Sequence, residues 1–207
     1  LLKDKNIKIV PDFAVEHIEG ENGKMFDYGG EVVDCNLLVT VPTNMGDECI
    51  LRSGFGDDLN YVPTDKNTLQ SKVKENIFVI GDATNVPASK AGSVAHFEAE
   101  ILTENILKYI EGKPLNPKFD GHANCFIETG KGKALLIDFN YDVEPLKGKF
   151  PFAGIGPLNL LEESAFNHFG KMAFKWVYWN MLLPARKIPF VTPTMSRAGK
   201  KFDEVEG

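Results

Sequence analysis

Two short apolar runs in the first part of the chain have the composition of buried strands. One is NLLVTVP, inside the segment 32–42, and the other is IFVI at residues 77–80. Aliphatic and β-branched residues fill both runs without polar alternation, which is typical of strands covered on both faces. Pro42 ends the first run because proline cannot donate to a sheet ladder. The segment 7–18 predicts two further strands separated by a proline.

A long helix is predicted after the second apolar run. Apolar residues recur at roughly helical spacing from Val94 to Ile110, so we expect a helix over about residues 92–111. Gly112 and Pro114 provide its stop signal. The earlier segment, 43–60, is rich in Gly and Asp and predicts a loop.

The remainder of the chain predicts a strand pair and then a second helical region. GHANCFIETG and KALLIDFNY flank a Gly-Lys-Gly turn and read as two strands. A connection rich in Pro and Gly, 144–157, leads to an expected helical region over 160–183. Strand and helix alternate in the middle of the chain, and this order indicates an α/β fold with an appended α+β piece.

Composition limits the classes of protein to which this chain can belong. The 207 residues carry a formal net charge of -6, which argues against a nucleic-acid binder. From Ala165 to Lys201 there are seven Lys or Arg residues and no Asp or Glu, which predicts either an anionic surface as partner or a solvated basic face. No signal peptide or membrane-spanning run is visible. The chain opens at Leu1 without Met, so we expect a fragment or a processed chain.

The three cysteines form neither a disulfide scaffold nor a zinc site. Cys35, Cys49 and Cys125 have no CxxC spacing and no histidine at ligand spacing, so no metal is expected. Their odd number leaves at least one thiol free or paired outside this stretch. Cys35 is expected in the core, and Cys49 is given no role.

A Gly-Asp pair closes the run at residues 77–80, and this is the first sign of chemistry. Gly81 permits a tight turn, and Asp82 at a strand's carboxyl end can accept hydrogen bonds from cofactor hydroxyls. The small residues over 91–95 would let a helix N-terminus, with its free N–H groups, approach a flat electron-rich ring. A lone Gly-Asp is also compatible with a plain turn.

The context of that pair carries a family resemblance. VPTDKNTLQSKVKENIFVIGDATN resembles the second flavin-contacting signature of flavoproteins with two dinucleotide-binding domains. The resemblance implies FAD as cofactor, with Asp82 on the ribityl chain and Val94 and Ala95 beside the ring. It also implies a strand, ending at Pro42, that returns from the nicotinamide-type domain. The residues expected to contact the cofactor are Pro42, Gly81, Asp82, Lys90, Gly92, Val94 and Ala95.

A second stretch narrows the family. FDGHANCFIETGKGKALLIDFNY resembles the sulfide:quinone oxidoreductases, in which a cysteine on this strand is one of two redox-active thiols. The resemblance makes Cys125 that catalytic cysteine. KWVYWNMLL resembles the helix that closes the quinone pocket and touches the membrane. The expected pocket walls are Phe126, Phe169, Phe174 and Tyr178, and Lys90 is a candidate to polarise a quinone carbonyl or stabilise reduced flavin.

Together these resemblances imply one half of a tandem Rossmann-like FAD/NAD(P)-binding flavoprotein with an α+β C-terminal piece ending in amphipathic helices. Residues 1–45 would end the nicotinamide-type domain, 46–113 would belong to the FAD domain, and 114–207 would form a quinone- and membrane-associated region. The first FAD signature, GxGxxG, and a convincing partner cysteine are absent. We therefore expect the chain to be inactive without an N-terminal half of the same protein.

The implied activity is oxidation of sulfide through a cysteine pair and FAD, with reduction of quinone. Its expected setting is the membrane surface, on the cytoplasmic rather than the periplasmic face, with a homo-oligomer possible. The basic side chains beyond the aromatic segment are expected to meet anionic lipid. They are Arg186, Lys187, Arg197, Lys200 and Lys201.

Several alternatives stay open. Relatives with the same flavin signature include type II NADH:quinone oxidoreductases and the flavoprotein subunit of flavocytochrome c sulfide dehydrogenase; a non-enzymatic assembly domain is a different class. Cys125 could be a small core residue, and the aromatic cluster over 166–179 could be ordinary packing above a solvated tail. His96 and His122 are expected to be structural, whereas Glu98 and Glu128 are candidates for proton relay.

Overall fold

The computed structural model describes residues 1–202 in two compact units, Leu1–Asn44 and Met45–Gly207. The last five positions of the predicted region 114–207 lie outside the described residues.

The first unit is a three-stranded antiparallel sheet in the order β1-β2-β3. Its strands are β1 (Val15–Glu19), β2 (Lys24–Asp27) and β3 (Val32–Asp34). A 3-10 turn over Gly20–Asn22 joins the first two strands. No residue of this unit is fully buried, as expected for a unit too small to enclose a core of its own.

The predicted buried strand over 32–42 is wrong beyond Asp34, where β3 ends. The apolar residues that follow are strongly exposed: Leu37 by 83%, Val39 by 86% and Val41 by 80%. Within residues 1–202 no strand pairs with this run, and an extended segment is regular and buried only when neighbours pair with it and cover it. The prediction of a strand within 7–14 is wrong for the same reason.

The second unit contains a four-stranded sheet in the order β4-β5-β7-β6. Its strands are β4 (Ala123–Gly130), β5 (Lys133–Phe139), β6 (Gly148–Phe150) and β7 (Leu158–Leu160). The pair β4 and β5 is the predicted hairpin, which is confirmed. Its turn contains Lys131 and Gly132 at positive φ, and β5 pairs in parallel with β7.

Three α-helices lie in the described part of this unit, up to residue 202. The helix α1 (Glu48–Ser53) lies in the segment predicted as a loop, where Asp47 caps it by accepting from the Cys49 N–H at 2.8 Å. The helix α2 (Gly92–Ile110) confirms the predicted helix. The third, α3 (Ala165–Val177), continues as a π-helical segment, Tyr178–Leu182.

The helix α3 starts later than predicted because β7 occupies the beginning of the expected helical region. The predicted strand at residues 77–80 is also wrong. In place of a regular strand, Phe78 forms an isolated β-bridge with Gln70. Residues 77–80 are half-buried. The core lies instead between α2 and the start of β4. Its buried members are Leu69, Val94, Phe97, Ile101, Phe119 and Ala123.

Candidate functional site: a polar turn and an apolar cavity at one helix N-terminus

The Gly-Asp pair forms a tight 3-10 turn, Gly81–Ala83. Gly81 has φ of +65°, a conformation that favours glycine. Its N–H donates to Oε2 of Glu98 at 2.6 Å, and Glu98 is 2% exposed. Burial raises the pKa of Glu98, although the Gly81 N–H and the Lys90 charge act in the opposite direction. Glu98 therefore supports the turn from α2.

Lys90 stabilises the other side of the same turn by hydrogen bonds. Its ammonium donates to the Thr84 carbonyl at 2.5 Å and to the Thr84 hydroxyl at 3.0 Å. A longer contact of 3.4 Å reaches the Gly81 carbonyl. Burial lowers the pKa of Lys90, and the charges of Glu98 and Asp82 oppose that shift. The structure thus places Lys90 in the turn and not in the cavity described below.

The residues expected to contact the cofactor differ in how far they are exposed to solvent. Asp82 is exposed on the turn, and Gly92 is exposed at the first position of α2. Val94 is 1% exposed and belongs to the core. Ala95 lies 3.7 Å from the place a Cβ would occupy on Gly81, which shows how closely α2 approaches the turn. Pro42 is exposed in the first unit.

The N-terminus of α2 is open. Ala91 precedes it, and within the described residues no side chain caps its first N–H groups. Uncapped N–H groups carry a partial positive charge that favours electron-rich ligand atoms. An exposed carboxylate for hydroxyl groups and an open helix end for a ring carbonyl are the partners that a flavin with its ribityl chain requires, so these residues fit such a group.

A cavity of about 680 Å³ opens beside the same helix end. Six elements (α2, β4, β5, β6, β7 and α3 with its π-helical continuation) and the C-terminal tail meet there, and most of the lining side chains are apolar. The helix α2 contributes Gly92, Ser93, His96 and Phe97, and β4 contributes Asn124, Cys125 and Phe126. The other lining residues are Leu136, Phe150, Leu158, Gly170, Lys171, Phe174, Val177, Tyr178, Leu182, Leu183, Ile188, Pro189 and Val191. A cavity of this size and polarity suits a flat apolar ligand.

Cys125 lies in the cavity wall next to the N-terminus of α2. It is a free thiol, half-buried, and burial raises its pKa while the Ser93 hydroxyl acts in the opposite direction. Ser93 also donates to the Asn124 carbonyl at 3.3 Å. The structure therefore sets a cysteine, a helix end and an apolar space side by side.

Three of the four predicted pocket aromatics line the cavity: Phe126, Phe174 and Tyr178. Phe169 does not line it and is 68% exposed. Sequence reasoning missed Lys171, whose ammonium makes no hydrogen bond or ion pair within residues 1–202 although it lines an apolar space. The spacing of Lys171, Phe174 and Tyr178 at i, i+3 and i+7 places them on one helix face, which is the signal that could have found it.

The opposite face of the same helix is apolar and exposed. It consists of Phe166, Phe169, Met172, Trp176 and Trp179, with exposures from 60 to 68%. In the part of the chain that the structure describes, every helix is too short or too polar to cross a bilayer. Residues 1–202 also contain no cluster of His, Cys, Asp and Glu suited to a metal ion.

The chain is thus a mixed α/β protein with a polar turn, which is the candidate cofactor turn, and an apolar cavity, which is the candidate ligand site. In sequence it is related to the sulfide:quinone oxidoreductases. It is 32% identical over 70% of its length to a mitochondrial sulfide:quinone oxidoreductase of Schizosaccharomyces pombe and covers 31% of that protein. A mitochondrial sulfide:quinone oxidoreductase of Dictyostelium discoideum is 32% identical over 76% of the chain, which covers 34% of that protein.

Two further comparisons agree with that relationship. A FAD-dependent oxidoreductase of Flammulina velutipes is 28% identical over 48% of the chain, which covers 32% of that protein. The crystal structure of sulfide:quinone oxidoreductase from Aquifex aeolicus matches with a TM-score of 0.64 at 20% identity, over 86% of this chain and 42% of that one. This match confirms the predicted α/β fold. No protein-family model matches the chain.

The family predicted from the motifs is therefore confirmed, and the name of the Flammulina velutipes relative includes FAD. The chain spans about a third of the length of the curated relatives it matches.

Proposed function

We propose that this chain forms the quinone-binding part and one flavin-contacting turn of an FAD-dependent sulfide:quinone oxidoreductase. The observation that supports it best is the common wall of the site: Cys125 and the apolar cavity meet at the open N-terminus of α2. In this proposal residues 1–45, 46–113 and 114–207 belong to the nicotinamide-type domain, the FAD domain and the quinone-binding region.

FAD is the proposed cofactor, and it would supply two-electron transfer between a thiol and a quinone. On this chain, exposed Asp82 would accept hydrogen bonds from the ribityl hydroxyls. The uncapped N–H groups at the start of α2, at Gly92, would face the ring, with Val94 and Ala95 close behind them. Gly81 and Lys90 would act indirectly, because they shape the turn that presents Asp82.

Cys125 is the proposed redox thiol. The thiolate is the reactive form of cysteine, and burial raises the pKa of this thiol. Activation would therefore require a further positive group or the disulfide with a second cysteine, which the resemblance places in the remainder of the protein. The open end of α2 favours the thiolate because the helix dipole is positive there.

The cavity is the proposed quinone site. Phe126, Phe174 and Tyr178 offer flat apolar walls, and burying such a ligand between them removes apolar surface from water. Lys171 lines the same cavity and makes no hydrogen bond or ion pair within residues 1–202; its ammonium would donate to a quinone carbonyl and stabilise negative charge as the quinone is reduced. This residue takes the role that the sequence assigned to Lys90.

The exposed apolar face of α3 is the proposed membrane-contacting surface. Trp176 and Trp179 are residues that favour the lipid–water interface, and exposed Arg186 and Lys187 follow them in sequence. A quinone dissolved in the bilayer would then be close to the cavity. The cytoplasmic face stays a prediction, and the mitochondrial relatives add a mitochondrial membrane as the alternative.

The decisive experiment is an anaerobic sulfide titration of the full-length, flavin-loaded protein, following flavin absorbance. We expect rapid bleaching in the parent and none with Cys125→Ala. The matched control is Cys49→Ala, which removes an exposed thiol on α1 and should bleach like the parent. Bleaching by NADH that ignores Cys125 would instead indicate the type II NADH:quinone oxidoreductase class.

A further inference from the structure

A buried charged cluster lies behind the cavity, and neither the motifs nor the proposed redox chemistry uses it. The side chains of His122, Asp138 and Lys200 are 4%, 2% and 1% exposed. Asp138 Oδ1 lies 2.9 Å from His122 Nε2, and Asp138 Oδ2 accepts from Lys200 Nζ at 2.9 Å. Charges buried this deeply are costly to desolvate, so a role in fixing one arrangement is a reasonable hypothesis for such a cluster.

Asp138 holds the C-terminal tail. Lys200 belongs to a tail, 188–201, that contributes three lining residues to the cavity: Ile188, Pro189 and Val191. The His122 Nδ1 donates to the Thr192 carbonyl at 2.8 Å, immediately after Val191. The prediction that Lys200 meets anionic lipid is therefore wrong, because its ammonium is enclosed against Asp138.

The same carboxylate also supports the facing wall. The His122 ring stacks on Phe97 with a centroid distance of 4.6 Å and an interplanar angle of 1°. Phe97 lines the cavity from α2. Asp138 is thus connected to the tail through Lys200 and to the α2 wall through His122.

Backbone contacts give the tail a close fit against β6. The Lys149 N–H donates to the Gly199 carbonyl at 2.9 Å. A Cβ on Gly199, which has φ of +81°, would lie 2.0 Å from the Lys149 carbonyl oxygen. Any side chain at Gly199 must therefore move the tail away from the sheet.

We propose that Asp138 is a positioning residue for quinone binding: paired with Lys200 and His122, it holds the tail 188–201 as one wall of the cavity. Asp138 acts through Lys200 and Phe97 and does not contact the ligand itself. The proposal depends on the proposed function in one respect, which is the identification of the cavity's ligand as a quinone.

The test uses Lys200→Met in the full-length, flavin-loaded protein. This change keeps the length of the side chain and leaves Asp138 without its ammonium partner. The control is Lys133→Met, at the other end of β5, where the Lys133–Glu163 ion pair is exposed by 51% and 22% and contributes little. The readouts are flavin bleaching by sulfide, the KM for a decyl-substituted benzoquinone, its binding by calorimetry, and amide hydrogen exchange of residues 188–200.

For Lys200→Met we expect the benzoquinone KM and Kd to rise about tenfold or more, with faster exchange in the tail. Sulfide bleaching and kcat should stay within about twofold of the parent, and Lys133→Met should match the parent in all readouts. An unchanged KM and unchanged tail exchange would overturn the proposal. So would an equal loss of sulfide bleaching and quinone reduction, which indicates general damage.

Gly199→Ala provides a second route, because it displaces the tail without altering a charge. We expect the same selective rise in KM and Kd, and a normal KM with a displaced tail would again overturn the proposal. If sulfide fails to bleach the parent, the proposed function fails. Calorimetry and hydrogen exchange still decide whether Asp138 shapes the cavity.

Discussion

The cofactor turn and the apolar cavity share the first two turns of α2 but are built in opposite ways. In the turn, Gly81, Thr84, Lys90 and Glu98 satisfy one another's polar groups within a short stretch of chain. Asp82 projects to solvent. The cavity instead collects side chains from Gly92 to Val191 and leaves an ammonium unpartnered within the described residues.

The difference teaches which parts of each region are available for chemistry. A polar group that already has good partners stabilises the fold and offers little to a ligand. A polar group that lines an apolar space without a partner has been left for something that binds there. By this criterion we expect Lys171 to be directed at a ligand, whereas Lys90 and Glu98 support the turn that presents Asp82.

Lys171→Met should produce the largest effect that separates the two regions. We expect kcat/KM for quinone to fall about 10- to 100-fold, the loss typical of a hydrogen bond to a charged group. Sulfide bleaching of the flavin should be unchanged, because the cofactor turn is intact. Stopped-flow measurement of the two half-reactions checks this.

The control for that variant is Lys175→Met, one turn later on α3, where the lysine is exposed and does not line the cavity. It should reduce quinone like the parent. Equal losses in the two variants would mean that net charge near the membrane matters and that Lys171 has no specific role.

Glu98→Ala tests the turn from its buried side. The Gly81 N–H would lose a carboxylate acceptor at 2.6 Å, so we expect the free energy of unfolding to fall by about 1–3 kcal/mol. Urea unfolding measures the loss. An unchanged unfolding free energy would show that water replaces Glu98 without cost.

Glu98→Gln keeps an acceptor but removes the ionisation, and therefore isolates the effect of pH. Burial raises the pKa of Glu98 in the folded state, so its contribution to stability is full below about pH 4.3, the unfolded value. That contribution is lost as pH rises through the raised folded value. The parent should therefore lose stability relative to Glu98→Gln as the pH rises above about 4.3, and a constant difference would contradict the raised pKa of Glu98.

The turn was more predictable from sequence than the cavity because its interactions are local. The hairpin β4–β5 and the helix α2 follow from turn residues and helical periodicity that neighbouring positions encode. The turn at Gly81 follows from the Gly-Asp pair in the same way. The run at residues 77–80 failed as a strand because regular pairing depends on partners that periodicity does not reveal.

Membership of the cavity depends on how distant elements pack. Lys90 and Lys171 cannot be distinguished from the sequence. Only the fold shows that Lys90 donates to backbone carbonyl groups and that Lys171 lines an apolar space. Phe169 and Phe174 are separated by little more than one helical turn but lie on opposite faces. From the sequence, Lys200 is an ordinary charged residue of the C-terminal tail. In the fold it donates to the carboxylate of Asp138, which is far away in the sequence.

Trp179→Ser should give the smallest effect, and it compares the two faces of one helical region. Trp179 is 60% exposed on the outer face, and the cavity lies on the inner face. We expect partition onto anionic liposomes to weaken roughly three- to tenfold, which corresponds to about 0.7–1.4 kcal/mol of partial apolar burial.

Leu51→Ser is the matched control, because Leu51 is also 60% exposed but lies on α1. It should leave liposome binding unchanged, and both variants should keep the parent's KM for a water-soluble quinone. Equal losses of liposome binding would show that exposed apolar area anywhere on the protein drives the association. A raised quinone KM with Trp179→Ser alone would mean that the outer face also shapes the cavity, so that the two faces cannot be separated as the geometry indicates.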